Sequence, residues 1–318
     1  MKAIVCETYG GPETLKFKDL PSPEPASDQL KIRLRARGVS YTDVLRIAGK
    51  YHVKTEPPFI PGGEAAGEVI GLGAGVDSFA IGDSVLCGGG FAENTTQPAA
   101  NVIKLPEGVD LKSAAAFRSN YMTAYYGLQR GRLKPGETLL VHGAAGGVGL
   151  ATVDVGKLLG ARVIATARSS ERLDVCKSLG ADDVIDYSDG FREAVKDHTG
   201  GRGADVIFDP VGGDVFDESM RCIAPFGRIL VVGFTGGRPA LAKTNHLLVK
   251  DAEVIGFTIG ALNTLDPDWA RKNLDTLIGW LAAERIQPYY SHALPLEQAA
   301  DALQLIIDRQ VIGKAILV

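Results

Sequence analysis

Residues 141–149 read Val-His-Gly-Ala-Ala-Gly-Gly-Val-Gly, directly after the apolar run Thr138-Leu139-Leu140-Val141. Glycines and small residues behind a buried strand leave backbone N–H groups bare, so a ligand's phosphates can approach them. A tight structural turn would use glycine as well, and the flanks decide. Beyond the turn, Val148, Ala151, Val155 and Leu158 recur at helical spacing and predict a helix from Gly147 to Leu159. Strand, glycine turn and helix in that order form the place where a dinucleotide's pyrophosphate meets a helix N-terminus. In the fingerprint G-x-G-x-x-G, Ala144 takes the first position and Gly146 and Gly149 the other two. Alanine is the smallest replacement, so the turn survives.

The following residues extend this reading. "RVIATA", "DDVIDY", "ADVIFDPVGG", "RILVVGF" and "EVIGFTIG" read as strands, with helical stretches "SERLDVCKSLG" and "FREAVKDHTG" between the first of them. Such alternation predicts right-handed βαβ units and a parallel sheet covered on both faces. The second strand ends in Ala167 and runs into Arg168-Ser169-Ser170-Glu171-Arg172, with no acid at the strand end. An NAD site would place Asp or Glu there for the ribose 2′-hydroxyl, whereas guanidiniums and hydroxyls suit a 2′-phosphate. The expected cofactor is therefore NADPH, held by Arg168, Ser169 and Arg172. A serine here also suits the cap of the next helix, and the two roles are compatible.

Residues 1–120 differ in texture. Short β-rich runs such as "LKIRLRARGVS", "GEAAGEVIGLG" and "GDSVLC" are punctuated by Gly and Pro, which predicts a strongly bent antiparallel sheet or partial barrel. The tail carries two amphipathic helices, in "WARKNLDTLIGWLAAERI" and "LEQAADALQLIIDRQ", and a closing strand, "KAILV". The fold class is thus α/β, a doubly wound parallel sheet plus a bent β-barrel unit. A length of 318 residues is comfortable for two domains. The net charge of −4 provides no basic footprint for nucleic acid or anionic lipid. No apolar run reaches membrane-spanning length, and "MKAIVCETYGG" lacks a signal peptide's apolar core. Cys6, Cys87, Cys176 and Cys222 form no C-x-x-C pair, so a reduced, cytoplasmic setting is expected.

The chain resembles the medium-chain dehydrogenase/reductase superfamily, in its zinc-free NADPH:quinone oxidoreductase branch. The resemblance covers essentially the whole chain. It rests on "GVSYTDVLRIAGKY" (38–51), "PGGEAAGEV" (61–69), "GDSVLCGGGFAE" (82–93), "MTAYYGL" (122–128), "LKPGETLLVHGAAGGVG" (133–149), "DPVGG" (209–213) and "VIGKAIL" (311–317). It implies a GroES-like catalytic domain over 1–120, a Rossmann NADPH-binding domain over 121–260, and C-terminal helices and a strand over 261–318 returning to the catalytic domain. Zinc-dependent relatives carry Cys where this chain has Ser40, and His-Glu where it has Gly63-Glu64. Serine is a poor zinc ligand and glycine has no ligating side chain, so no metal is expected. Without a Lewis acid, the remaining chemistry is hydride delivery to an electron-poor acceptor, where charge develops on oxygen and the site needs donors.

The resemblance also implies site residues. Tyr51 lines the substrate side of the nicotinamide, as a phenol donating to a developing oxyanion or as a tyrosine packed on the barrel. Ser40 stands where quinone reductases often have Asn, and Leu45 replaces a common tyrosine, so the pocket is drier. Ala145, Gly146, Gly147 and Val148 are expected at the pyrophosphate, Tyr187 near the adenosine phosphates, and Thr123 at the nicotinamide end. Gly212, Gly233, Phe234, Phe257 and Ile259 are expected to wall the nicotinamide, with Lys314 reaching the cofactor. Arg118 either binds an anionic group of the substrate or pairs with Asp43 or Glu64. The function expected is reduction of a quinone. The alternatives are reduction of an enone, enal or enoyl-thioester, and a non-catalytic binding or structural role, as some superfamily relatives serve as crystallins or bind RNA. The apolar final strand "AEVIGFTIG" predicts a homodimer.

Overall fold

The computed structural model describes residues 1–51 and 53–318, and the chain divides into two compact units, 1–118 with 288–318, and 119–287. The first unit opens with β1 (Lys2–Val5), β2 (Lys16–Asp19), β3 (Gln29–Val39), α1 (Tyr41–Ile47), β4 (Glu64–Leu72), β5 (Ser84–Cys87), β6 (Asn94–Pro98), β7 (Ile103–Lys104) and α2 (Leu111–Ala115). The second holds α3 (Arg118–Arg130), β8 (Thr138–Val141), α4 (Gly147–Leu158), β9 (Arg162–Ala167), α5 (Ser170–Ser178), β10 (Asp183–Asp186), α6 (Arg192–His198), β11 (Ala204–Asp209), α7 (Gly213–Cys222) and β12 (Ile223–Val231). It continues through α8 (Thr244–Lys250), β13 (Glu253–Gly256), α9 (Ile259–Leu265) and α10 (Pro267–Ala282). The chain then returns to the first unit with β14 (Tyr290–Leu294), α11 (Ala299–Ile307) and β15 (Lys314–Leu317).

In the first unit the main sheet runs β14-β15-β3-β4-β5-β7, with β6 on β3. Strand β3 is its spine. Leu30, Ile32 and Leu34 alternate inward onto Val69, Val85 and Cys87, while register shifts between β3 and β4 bend the ribbon. This is the bent, mainly antiparallel sheet that the Gly/Pro-punctuated texture predicts. The second unit is a six-stranded, all-parallel sheet in the order β10-β9-β8-β11-β12-β13. That is the doubly wound Rossmann order, and its reversal falls between β8 and β11, where ligands bind at strand carboxyl ends.

Two expectations shift. "EVIGFTIG" is not one strand, because Thr258 caps a new helix by accepting the Ala261 amide, and β13 stops at Gly256. The helix in "WARKNLDTLIGWLAAERI" belongs to the second unit, so the boundary expected near 260 lies at 287/288. Helix α10 is held there by edge-on ring pairs, Tyr125–Trp280 and Tyr126–Trp269, and by reciprocal amide bonds between Gln129 and Asn273. Among the described residues no helix is long and apolar enough to cross a membrane.

His142, at the end of β8, is 1% exposed. Its Nε2 lies 2.8 Å from Ser219 Oγ and its Nδ1 3.0 Å from Thr166 Oγ1. Ser219 donates its own proton to Val215 O, so it accepts from Nε2–H, which assigns the neutral tautomer. Burial pushes the His142 pKa down to about 3. The imidazole is a structural link between β8, β9 and α7 rather than a base. Because the unfolded state binds this proton below about pH 6.5 and the folded state does not, acid favours unfolding. Stability is expected to fall from about pH 6.5 downward, by up to about 1.4 kcal/mol per pH unit. Denaturant titrations between neutral and mildly acidic pH should show a shallower acid limb in His142→Gln. Parallel limbs would remove His142 as the cause.

Candidate functional site

In the dinucleotide unit, α4 starts at the glycine turn. Gly146 is its N-cap, extended at φ −78° and ψ 169°. A Cβ added to Gly146 would meet only Gly143 O, at 3.3 Å, a tight contact that a small shift would relieve. A Cβ on Gly149 would lie 2.3 Å from Gly143 O and 2.7 Å from Ala144 Cα, so helix and turn touch backbone to backbone. Gly146, Gly147 and Val148 are half-exposed at the helix start, where the first amides have no intrahelical acceptor, and Ala145 is buried behind them. Gly147 abuts the side-chain amide of the buried Asn120 on α3, at 2.5 Å from an added Cβ. Asn120 carries no motif signal, and only the fold brings it to the loop.

At the end of β9, the Arg168 guanidinium stacks over the Tyr187 ring at 4.9 Å, uniting residues that follow two different strands. Ser169, the N-cap of α5, has φ +86°, a strained conformation for a non-glycine residue. Asp186 closes the corner from the end of β10. Both the amide and the hydroxyl of Ser188 donate to it, and these bonds, with the Ser169 amide and the Arg168 charge, hold its carboxyl below the usual range. Asp186 is absent from the sequence expectations because an acid is sought at the end of the second strand, not the third. Arg172 is half-buried in α5, and its charge acts on the thiol of Cys176 in the core.

The loop after β11 is built on Asp209, 1% exposed, whose carboxylate accepts the amides of Val211 and Gly212 at 2.8 and 2.9 Å. Burial raises its pKa while those bonds oppose the rise. Gly212 adopts φ +71°, and an added Cβ would lie 2.9 Å from Phe234 Cδ1. The amide and hydroxyl of Thr235 both donate to Pro210 O, joining the loop after β12, which contains Gly233 and the 45% exposed Phe234. The loops after β11 and β12 therefore form one ordered surface beside the glycine turn, since an added Cβ at Gly143 would touch Pro210 and Val211 at 3.5 Å. Thr123 Oγ1 donates back to Ser119 O at 2.7 Å within α3, Phe257 packs edge-on to Tyr126 at 5.6 Å, and Ile259 opens α9.

In the other unit, Ser40 caps α1. Its amide and hydroxyl both donate to Asp43 Oδ2 at 2.8 Å. Asp43 is buried, which raises its pKa against the Ser40 bonds and the charges of Lys314 and Arg46. Lys314, only 4% exposed, pairs with Glu64 at 3.3 Å. It is a buried ion-pair partner rather than a solvated side chain. Arg46 lies over the Tyr51 ring at 5.1 Å, and its Nη1 is 3.7 Å from where a Cβ on Gly63 would be. Arg118 carries its charge near the buried thiol of Cys87, while Lys314 and Arg46 serve Asp43.

This donor set does not fit zinc. Ser40 and Asp43 are committed to a helix cap, Glu64 faces an ammonium, and Gly63 has no ligating side chain, with a guanidinium as its nearest neighbour. Among the described residues no three His, Cys, Asp or Glu side chains cluster as a metal site would require.

A family profile described as "Zinc-binding dehydrogenase" matches residues 147–277, and one described as "Alcohol dehydrogenase GroES-like domain" matches residues 26–107. The chain is 36% identical to quinone oxidoreductase-like protein 2 homolog of Nematostella vectensis, covering 99% of this chain and 88% of that protein. It is 32% identical to the 2-haloacrylate reductase of a Burkholderia species, covering 99% and 98%. The quinone oxidoreductase of Thermus thermophilus, solved also in complex with NADPH, superposes with a TM-score of 0.86 at 31% identity, covering 100% of this chain and 99% of that one.

The two glycine environments predict different failures. Gly146→Val places bulk on the half-exposed side of the turn, against a single backbone oxygen, so NADPH affinity is expected to vanish at a smaller loss of thermal stability than Gly149→Val causes. Gly149→Val drives bulk into backbone atoms that cannot swing away, and is expected to cost about 1–3 kcal/mol of stability, toward the upper end. NADPH titration beside thermal unfolding separates the two. Normal NADPH binding by Gly146→Val would contradict the phosphate-facing assignment of this turn.

Proposed function

This chain belongs to the quinone oxidoreductase branch of the medium-chain dehydrogenase/reductase superfamily, and on that premise we propose that it transfers hydride from NADPH to a quinone without zinc. The observation that carries this reading is the replacement of a zinc donor set by the Ser40–Asp43 cap and the Glu64–Lys314 pair. With no Lewis acid to help ionise an alcohol, the chemistry left is addition to an acceptor that is already electron-poor.

NADPH, when bound, supplies the hydride. The protein's part is to bind and orient. The helix dipole of α4 and the amides around Gly146–Val148 suit the pyrophosphate. The Arg168 guanidinium, braced on Tyr187, and the Ser169 hydroxyl suit the 2′-phosphate. Asp209 stiffens the loop after β11 toward the nicotinamide end. Tyr51 is the group to donate a proton to the reduced oxygen, and Arg46 lies on its ring. Reduction of an activated alkene is the second reading, favoured by the similarity to a haloacrylate reductase.

The same reading extends to assembly. Strand β13 is the free edge of the Rossmann sheet, and Leu248 and Val249 just before it are each 80% exposed. Pairing of this edge with its copy would cover them in a homodimer. Solution scattering or sedimentation at micromolar protein is expected to give twice the chain mass, and a monomer would refute the pairing.

NADPH is expected to bind at least about tenfold more tightly than NADH, worth roughly 1.4 kcal/mol. Replacing Arg168 and Arg172 together by Ala should erase most of that preference. Equal dissociation constants in the parent protein would sink the NADPH assignment. In a screen of NADPH oxidation, quinones are expected to be reduced faster than enones or enoyl-thioesters, with the rate unaffected by a strong chelator. Faster enone reduction would select the second reading. Silence on every acceptor, with NADPH bound, would point to a binding role.

A further inference from the structure

Arg46 stands in the last turn of α1, half-buried, with its guanidinium over the Tyr51 ring. Its Nη1 lies 3.7 Å from the position of a Cβ on Gly63, the residue at which metal-dependent relatives carry a zinc-binding histidine. The guanidinium is thus the nearest group to that position, at an ordinary van der Waals distance. Among the described residues, none accepts a hydrogen bond from Arg46 and none pairs with it within 4.0 Å; it packs on the face of Tyr51, and its charge also acts on the buried Asp43. The other cation of this unit's cluster, Lys314, is committed to Glu64, and the Asp43 oxygen nearest the cap carries both Ser40 bonds. Arg46 thus presents a fork of guanidinium donors, partly withdrawn from water.

We propose that Arg46 is a catalytic residue that donates hydrogen bonds to the carbonyl oxygen of the acceptor as negative charge develops there, so that the substrate class is carbonyl-conjugated acceptors. This rests on the hydride-transfer reading above. The acceptor gains two electrons and one hydrogen as hydride from NADPH, and its conjugated electron pair moves onto the carbonyl oxygen. That oxygen then takes a proton from the Tyr51 phenol, which is reprotonated by water, giving NADP⁺ and a hydroquinone, or an enol that tautomerises to the saturated carbonyl compound by losing its O–H proton to water and taking one on carbon. Arg46 keeps all its protons throughout. It stabilises the charge, and Tyr51 beside it neutralises the charge. A fixed cation aimed at a developing oxyanion supplies what a Lewis acid would supply, with no open coordination position required.

Arg46→Met and Arg46→Lys test this in the full chain. With 1,4-naphthoquinone as acceptor, Arg46→Met is expected to lower kcat by about 10²–10³-fold. NADPH affinity and thermal stability should stay as in the parent, guanidine added to the buffer should restore part of the rate, and Arg46→Lys should fall between. Binding provides an independent readout. The parent is expected to bind 4-nitrophenolate, a mimic of the charged oxygen, and Arg46→Met to lose it, while the neutral 4-nitroanisole should not distinguish them. Arg46→Met with kcat within about threefold of the parent overturns the proposal, as does a lost rate that guanidine leaves unchanged and that follows a lowered melting temperature. If the parent reduces no acceptor yet binds 4-nitrophenolate through Arg46, the hydride-transfer reading fails and the oxyanion site stands. If the parent reduces naphthoquinone and Arg46→Met does so equally, the site fails and the reading stands.

Discussion

The structure of the dinucleotide unit depends on one contact without side chains, the approach of Gly149 to the Gly143 carbonyl and the Ala144 Cα. Any Cβ at Gly149 would stand 2.3 Å from that oxygen, so only glycine lets α4 begin this close to β8. The far end of the helix repeats the device, because a Cβ on Gly156 would lie 2.6 Å from Leu139 Cδ2. Helix α4 is therefore seated on β8 along its length, and its N-terminus is fixed at the central strand, where the sheet order reverses. The positive end of its dipole and its unsatisfied amides then face the crevice by geometry alone.

The two ends of this sheet are treated oppositely. At the amino ends of β8, β11 and β12, Arg228 donates to the Glu137 carboxylate and to the carbonyls of Gly131, Arg132 and Asp205, while Asp205 accepts the Thr138 amide. Charge and backbone are paired there, and the network is structural. At the carboxyl ends, Asp209 and Thr235 spend their bonds on shaping loops, and the start of α4 keeps amides for a ligand. A buried network that satisfies itself stabilises the fold, and donors left over at a helix N-terminus bind anions.

Local signals carried much of this into the sequence. The strand-turn-helix at 138–158, the alternation after it, and the loss of Cys and His at positions 40 and 63 are legible because each depends on neighbours within a few residues. Features set by distant partners are not legible. The placement of α10 depends on Tyr125 and Tyr126 meeting Trp280 and Trp269 across more than a hundred residues. The edge-on packing of Phe257 against Tyr126 joins residues more than a hundred positions apart, and Thr258 reads as strand until its hydroxyl caps α9. Lys314 reads as a residue reaching the cofactor, and nothing nearby in sequence announces its pairing with Glu64, 250 residues away. Arg46 is silent for the same reason, as its meaning comes from the space left open at Gly63.

Helix α4 has one further duty. Asp154, in its middle, accepts the Tyr121 hydroxyl at 2.6 Å and the Gln287 amide at 2.7 Å on a single carboxylate oxygen. Tyr121 lies just inside the residue at which the chain enters this unit, and Gln287 is the residue at which it leaves. Burial raises the Asp154 pKa while its two donors oppose the rise, and removing the carboxylate would take from both Tyr121 and Gln287 the acceptor they share. Whatever binds the N-terminus of α4 and not the unfolded chain stabilises the whole unit by mass action, its two exits included. The helix proposed to meet the phosphates is thus also the element that fastens both ends of its own domain.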